Sequence, residues 1–356
     1  MNISVETSRL PMPKPEDDSK LGFGKVFTDH MFLMDYDAAE NWHDPRIVPF
    51  QGITLHPAAT ALHYGQEIFE GMKAYRGVDG KLRLFRPDEN AKRLNASAER
   101  LCMPTIPVED QLQVYRAIAD MEREWAPSRI GTALYLRPTM IGTGQEIGVH
   151  PSSRYLFFVI CCSVGSYFKG GLTPVDIYVE DKYVRAVRGG LGVAKTGGNY
   201  AASLKASHEA SSSGYAQVLW LDGVERRYIE EVGAMNIMFI IDGKLVTPEL
   251  SGSILPGITR KSVIELARDM GLTVEERKVD IDEVMQAGRD GRLTEAFGTG
   301  TAAVISPVGS LLYKGEEVVI NNRAIGSFAQ QFYDEIVGMQ FGKVADKHGW
   351  TVELQQ

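Results

Sequence analysis

Cysteine is scarce. Three residues in 356 are too few for a disulfide framework. Cys161 and Cys162 are adjacent, and neighbours on a strand point to opposite faces, so they do not suggest a metal site. Positive charge is also short. Lys plus Arg total 38 against 46 for Asp plus Glu, a formal net charge of -8, which argues against nucleic acid as the main partner. Long apolar runs are missing: the best stretches, such as Tyr155 to Cys162, are strand length, well under the ~20 residues that span a bilayer. The opening Met1-Asn2-Ile3-Ser4-Val5-Glu6 has no basic region leading into an apolar run, so no secretory signal is expected. There is no fixed-period repeat and no low-complexity segment. A reduced, soluble, cytoplasmic protein is the expectation.

What is present is ample core material, 44% hydrophobic against 24% charged, in a length that predicts about two domains. Residues 1–45 are polar and proline-bearing and read as an irregular arm. Residues 57–69 read as a helix and 81–85 as a short strand. Pro87, Asp88 and Glu89 open a helix with Leu94, Ala98 and Leu101 on its apolar stripe. Leu112, Tyr115, Ala119 and Trp125 mark another. Residues 132–138 and 154–162 read as strands, the second nearly all apolar and so buried. The loop-rich stretch from Ser163 to Pro174 is the best boundary. Beyond it, 202–211 reads as a helix, 216–221 as a strand, and Asp242-Gly243 as the turn of a hairpin. Helices are expected at 259–270 and 327–338. Strands and helices mix without regular βαβ alternation, so the expected class is α+β with two domains. Residues 1–165 would form a smaller N-terminal domain, 166–175 an interdomain loop and 176–356 a larger C-terminal domain.

Lys195 is the candidate for covalent chemistry, although a lysine near glycines is more often an ordinary loop residue. It lies in Ala194-Lys195-Thr196-Gly197-Gly198-Asn199-Tyr200, after the glycine-broken stretch Arg188 to Val193. A lysine beside such a turn is suited to act as an amine nucleophile on a carbonyl. Further segments offer matching parts. Glu230 and Glu231 precede Gly233-Ala234-Met235-Asn236. Leu255-Pro256-Gly257-Ile258-Thr259-Arg260 leads into a helix whose free N–H groups make a phosphate seat. Phe297-Gly298-Thr299-Gly300-Thr301-Ala302 is a small-residue turn offering N–H donors. Leu84-Phe85-Arg86-Pro87 followed by Arg93 completes the set. Each alone is weak: a Gly-Thr-Gly-Thr turn is more often only a turn.

Together with Phe69-Glu70-Gly71-Met72-Lys73-Ala74-Tyr75 and Leu134-Tyr135-Leu136-Arg137-Pro138, these segments resemble the class IV (fold type IV) pyridoxal-phosphate aminotransferases, and within them the branched-chain amino acid aminotransferases. The resemblance runs from about Phe27 to Trp350. It implies a two-domain α+β enzyme that binds pyridoxal 5'-phosphate and moves the amino group of leucine, isoleucine or valine to 2-oxoglutarate. Lys195 would hold the cofactor covalently and shuttle the proton. Glu231 would face the pyridine nitrogen and Tyr200 the phenolic oxygen. Arg93, Ile258, Thr259 and Thr301 would hold the phosphate, with Leu255, Gly257 and Gly300 shaping the cup. Phe69, Tyr135, Arg137, Thr301 and Ala302 would line the substrate pocket. Tyr64, Ile147 and Val149 would come from the second subunit of a homodimer, and Tyr167 would act as a lid. Ala303 and Ser306 stand where some animal members carry a Cys-x-x-Cys pair, so no thiol switch is expected there. The alternatives are another enzyme of the same fold (D-amino acid aminotransferase or aminodeoxychorismate lyase) and a non-catalytic protein that carries the cofactor.

Overall fold

The computed structural model describes residues 1–165 and 172–354. The chain divides into two compact units, Met1–Tyr167 with Ala194–Gly197 and Val337–Gln356, and Phe168–Val193 with Gly198–Ile336. Two segments that the sequence reading placed in the C-terminal domain therefore pack with the first unit. For the chain end the reason is a strand pairing: Thr351–Glu353 lies antiparallel to Leu82–Phe85. For residues 194–197 it is a set of hydrogen bonds given below.

The first unit is built on a nine-stranded sheet. Val26–Asp37 lies between Asn41–Pro49 and Arg154–Val164, and Ala133–Gly142 follows on the far side of the latter. From Glu6 to Lys25 the chain is irregular as expected, apart from the short turn Asp18–Lys20. The expectation of an irregular arm is corrected for residues 26–45. Composition suggested a loop there, but Phe32 and Met34 point into the core with Phe157, Tyr115 and Leu134, and sheet pairing on both sides satisfies the backbone. The expectation of a helix over 57–69 is also corrected. Only Thr60–Tyr64 is helical. Gly65 adopts φ 60°, returns its N–H to the Ala61 carbonyl and stops the helix. Glu67–Phe69 then becomes a strand paired with Ala133–Gly142. The helix Pro87–Arg100 forms as its sequence dictates, with proline at its start and two acids in the first turn. It buries Ala91, Leu94 and Ala98, but also Asn90, Arg93 and Ser97.

The second unit carries another nine-stranded sheet. The strands Ile229–Val232, Gln217–Leu221, Val175–Glu180, Val304–Tyr313, Leu293–Gly300 and Met235–Ile241 follow one another, and the last pairs back with the first to close the ring. The hairpin from Met235–Ile241 to Lys244–Pro248 turns through Asp242 and Gly243, both with positive φ (50° and 73°), as an Asp-Gly turn requires. Helices Gly197–Ser212, Ile258–Asp269, Ile281–Arg289 and Ser327–Gln340 follow along the chain.

Among the described residues no helix is long and apolar enough to cross a membrane. Cys161 and Cys162 are buried free thiols. Burial raises both above the ordinary thiol range, Cys162 to about 11.

Candidate active site

In the first unit the Lys195 backbone is held from several sides. Its carbonyl accepts from the Phe69 N–H at 3.0 Å. Its own N–H donates to the buried Ser97 hydroxyl at 2.9 Å. Next along the chain, the Thr196 hydroxyl donates to the Glu67 carbonyl at 2.6 Å. The ammonium lies 5.1 Å from the centre of the Phe69 ring, and the Arg137 guanidinium lies 4.8 Å from the same ring. One aromatic ring thus collects two cations. Arg137 also donates through Nη2 to the Tyr135 hydroxyl at 2.9 Å, while its buried Nε has no hydrogen-bond partner among the described residues. Gly71 makes room for this arrangement, since a Cβ at that position would collide with the Tyr135 hydroxyl.

Arg93 sits on the buried face of its helix and pairs in two-pronged fashion with Glu70, Nε to Oε1 at 2.7 Å and Nη2 to Oε2 at 2.9 Å. Asn90 adds a bond to Glu70 Oε2 at 2.7 Å. Burial alone would raise the Glu70 carboxyl, yet it lies below its ordinary range because Arg93, then Lys195 and Asn90, stabilise the charge. Lys73, on the strand Met72–Arg76, is buried, and burial lowers its amine to about 8.

Tyr64, Ile147 and Val149 share one property, exposure, at 41%, 72% and 91%. Tyr167, the expected lid, lies outside the described residues.

In the second unit Glu231 is buried on the short strand Ile229–Val232. Its Oε1 lies 3.2 Å from Arg185 Nη2 and accepts the Leu255 N–H at 2.7 Å. Arg185 also donates to the Ser253 carbonyl. Gly192 packs against that same carbonyl, where a Cβ would clash with backbone. Glu230, on the opposite strand face, accepts from the Ser253 hydroxyl, and burial raises its carboxyl. Its second oxygen has no partner among the described residues. The helix Ile258–Asp269 starts at Gly257 without a side-chain cap, and Ile258 and Thr259 are buried in its first turn. Uncapped N–H groups and the positive end of the dipole make that start a seat for an anion. Gly298 and Gly300 are strand residues rather than loop; the turn itself begins at Thr301 and includes Ala302. Tyr200 lies in the first turn of the helix Gly197–Ser212.

The structure thus groups Lys195, Phe69, Tyr135 and Arg137 in the first unit and Glu231, Leu255 and the Ile258–Asp269 helix start in the second. Sequence reasoning missed Ser97, Arg185 and the pairing of Arg93 with Glu70. Glu70 lay inside a quoted motif, but its partners are 20 and 23 residues away on a helix. The available signal was the polar set Asn90, Arg93 and Ser97 recurring along one helix face, where apolar residues were due.

The family described as Amino-transferase class IV matches residues 67–311. The chain is 54% identical over 352 residues to "Branched-chain-amino-acid aminotransferase 2" of Bacillus subtilis (strain 168), covering 99% of this chain and 97% of that one. It is 48% identical to "Branched-chain-amino-acid aminotransferase" of Mycolicibacterium smegmatis, covering 94% and 92%. Among solved structures, the branched-chain amino acid aminotransferase from Escherichia coli superposes with a TM-score of 0.75 at 27% identity, covering 92% of this chain and 99% of that one. A T.th. branched-chain amino acid aminotransferase solved with pyridoxamine 5'-phosphate gives 0.77 at 26%, covering 93% and 100%. A chain matched in this way over nearly its full length belongs to the class IV aminotransferases, in their branched-chain amino acid branch.

Proposed function

We propose the following roles for the residues of this chain in branched-chain transamination, with leucine, isoleucine or valine as amino donor and 2-oxoglutarate as acceptor. Pyridoxal 5'-phosphate fits the residues present: an amine on an anchored backbone, a buried carboxylate beside a guanidinium, and an uncapped helix start. When bound, the cofactor supplies a carbonyl for the incoming amine and an electron-withdrawing ring for the electrons released at the substrate Cα. Lys195 would hold it covalently and, once freed by the incoming amino acid, would take the proton from the substrate Cα and deliver it to the carbon that had been the cofactor's aldehyde. Glu231 faces the pyridine nitrogen, where a negative charge favours the protonated ring. Tyr200 orients the phenolic oxygen. Arg93, the Ile258 and Thr259 N–H groups and Thr301 bind the phosphate, and Leu255, Gly257 and Gly300 shape the cup around it.

On the substrate side, Phe69, Tyr135 and the Thr301-Ala302 backbone receive the amino acid. The pocket must hold an apolar side chain in one half-reaction and a carboxylate in the other. The observation that carries this reading is Arg137: a guanidinium stacked on Phe69, bonded to Tyr135, with one buried N–H donor unmatched among the described residues. Such a cation can anchor the glutamate side chain, and it rests against rings when leucine is bound. Tyr64, Ile147 and Val149 serve the second copy in a homodimer, a role their exposure supports. Tyr167 is proposed as a lid. A cytoplasmic setting accords with unpaired thiols.

Single-turnover rates of the aldehyde form test this. Arg137→Met is expected to weaken the glutamate half-reaction by about 2–4 kcal/mol, the scale of a lost charge-assisted contact. The leucine half-reaction changes much less. Equal loss for both amino acids removes Arg137 as the side-chain anchor, and turnover of D-alanine ahead of L-leucine favours the other enzymes of this fold.

A further inference from the structure

We propose that Glu70 is a positioning residue for phosphate binding: its carboxylate fixes the plane and direction of the Arg93 guanidinium. The inference rests on the reading that Arg93 meets the phosphate of the cofactor. Glu70 itself stays outside that contact.

Glu70 is fully buried, between the strand Glu67–Phe69 and the strand Met72–Arg76. Its backbone is fixed by donation of the Glu70 N–H to the Pro138 carbonyl at 2.8 Å. Its side chain is fixed on both oxygens. Oε1 takes Arg93 Nε, and Oε2 takes Arg93 Nη2, Asn90 Nδ2 and the Gly71 N–H, the last at 3.2 Å. Asn90 Nδ2 reaches the Gly71 carbonyl as well, at 3.3 Å. A carboxylate so fully bonded cannot turn, and the side-on fork it makes with Nε and Nη2 sets the guanidinium in one plane. Nη1 then projects from the edge away from Glu70.

Stability is a poor reason for such a pair. Burying two charges costs much of what their attraction returns, and apolar residues of similar volume often do as well. The helix already packs through Ala91, Leu94 and Ala98. What the pair does achieve is orientation. An unrestrained arginine side chain has many rotamers, and fixing it before the ligand arrives removes that entropic loss from binding. The same helix anchors Lys195 through Ser97 one turn further on, so holding Arg93 also keeps the phosphate ligand in register with the reactive amine.

The test compares two ligands on the full chain freed of cofactor: pyridoxal phosphate and pyridoxal, which lacks only the phosphate. Binding is followed by absorbance titration, and folding by thermal melting. Glu70→Gln keeps the shape and removes the charge. It is expected to weaken pyridoxal phosphate by about 10-fold or more, with pyridoxal changed less than about 3-fold. Asn90→Ala, a milder change that leaves the ion pair, is expected to act in the same direction by a few-fold, and it decides the matter if Glu70→Gln does not fold. Arg93→Met serves as the reference. If Arg93→Met discriminates between the ligands while Glu70→Gln and Asn90→Ala weaken both equally or neither, Glu70 is structural only and the proposal falls. If Arg93→Met itself fails to discriminate, the phosphate reading falls and takes the proposal with it.

Discussion

Glu70 in the first unit and Glu231 in the second are both buried and both lie beside an arginine, but their bonding differs. Glu70 accepts on both oxygens, in a fork from Arg93 with Asn90 and a backbone N–H added. Glu231 Oε1 lies beside Arg185 and accepts the Leu255 N–H. The first pattern locks a neighbouring side chain. The second ties a carboxylate, through Oε1, to the loop that leads into the Ile258–Asp269 helix. Strand geometry adds a further contrast in the second unit. Glu230 is one residue from Glu231, yet it faces the other way, bonds to a serine and is pushed toward its neutral form by burial. Adjacent acids thus have different electrostatic roles, and position in the strand decides which.

The largest expected effect lies at Lys195. Lys195→Ala should fold and lose turnover by at least about 10³-fold, since both covalent attachment and proton transfer go with the amine. Borohydride reduction of the holoenzyme followed by peptide mapping should label Lys195. Lys73 is the informative control, because burial lowers its amine to about 8 and makes it a competent nucleophile by basicity alone. A label on Lys73 would falsify the assignment.

The next effect breaks or sharpens the contrast between neighbouring carboxylates. Glu231→Gln should retain cofactor and lose roughly 10²–10³ in kcat, the scale for removing a charge aimed at the reacting system. Glu230→Gln should stay within about 10-fold of the parent, since its work is to hold Ser253. A crippled Glu230→Gln beside a mild Glu231→Gln would mean that the strand is read one residue out of register.

Local chemistry made part of this architecture legible. Asp242-Gly243 demands a tight hairpin turn, Pro87-Asp88-Glu89 opens a helix, and the glycine before Ile258 marks a helix start; all three are set by residues within a few positions of each other. Long-range pairing stayed hidden. Val26–Asp37 contains Asp29, His30 and Asp35 among its apolar residues, and only the strands on either side of it, one of them more than a hundred residues later, show why the backbone is extended there. The site divides in the same way. Glycines drew notice to Lys195, to the segment after Glu231 and to the helix start, and the family resemblance supplied their expected roles. Ser97 beside Lys195, Arg185 beside Glu231 and Glu70 beside Arg93 have no local signature, since an ordinary serine, arginine or glutamate becomes specific only through what the fold places beside it.

A smaller effect concerns stability. The Lys73 amine sits at about 8 in the folded chain against an ordinary 10.5. Between those values the unfolded chain binds more protons, so this group raises stability as pH increases through the window; below about 8 the cost of burying its charge is fully present. Lys73→Met should therefore raise the melting temperature at pH 7, by the equivalent of about 1–3 kcal/mol, with the gain vanishing near pH 10.5. Parallel melts of parent and variant across this range isolate the lysine from other titrating groups. A gain that is independent of pH would show that the amine keeps its ordinary basicity in the folded chain.

The most direct test of the account is a visible absorbance spectrum of the purified full-length protein, taken before and after adding L-leucine without an oxo acid. Lys195 chemistry in a branched-chain aminotransferase predicts a bound carbonyl-form chromophore that converts to the amine form with L-leucine and returns when 2-oxoglutarate is added. A chromophore that L-leucine leaves unchanged, or that responds only to D-alanine, would contradict it.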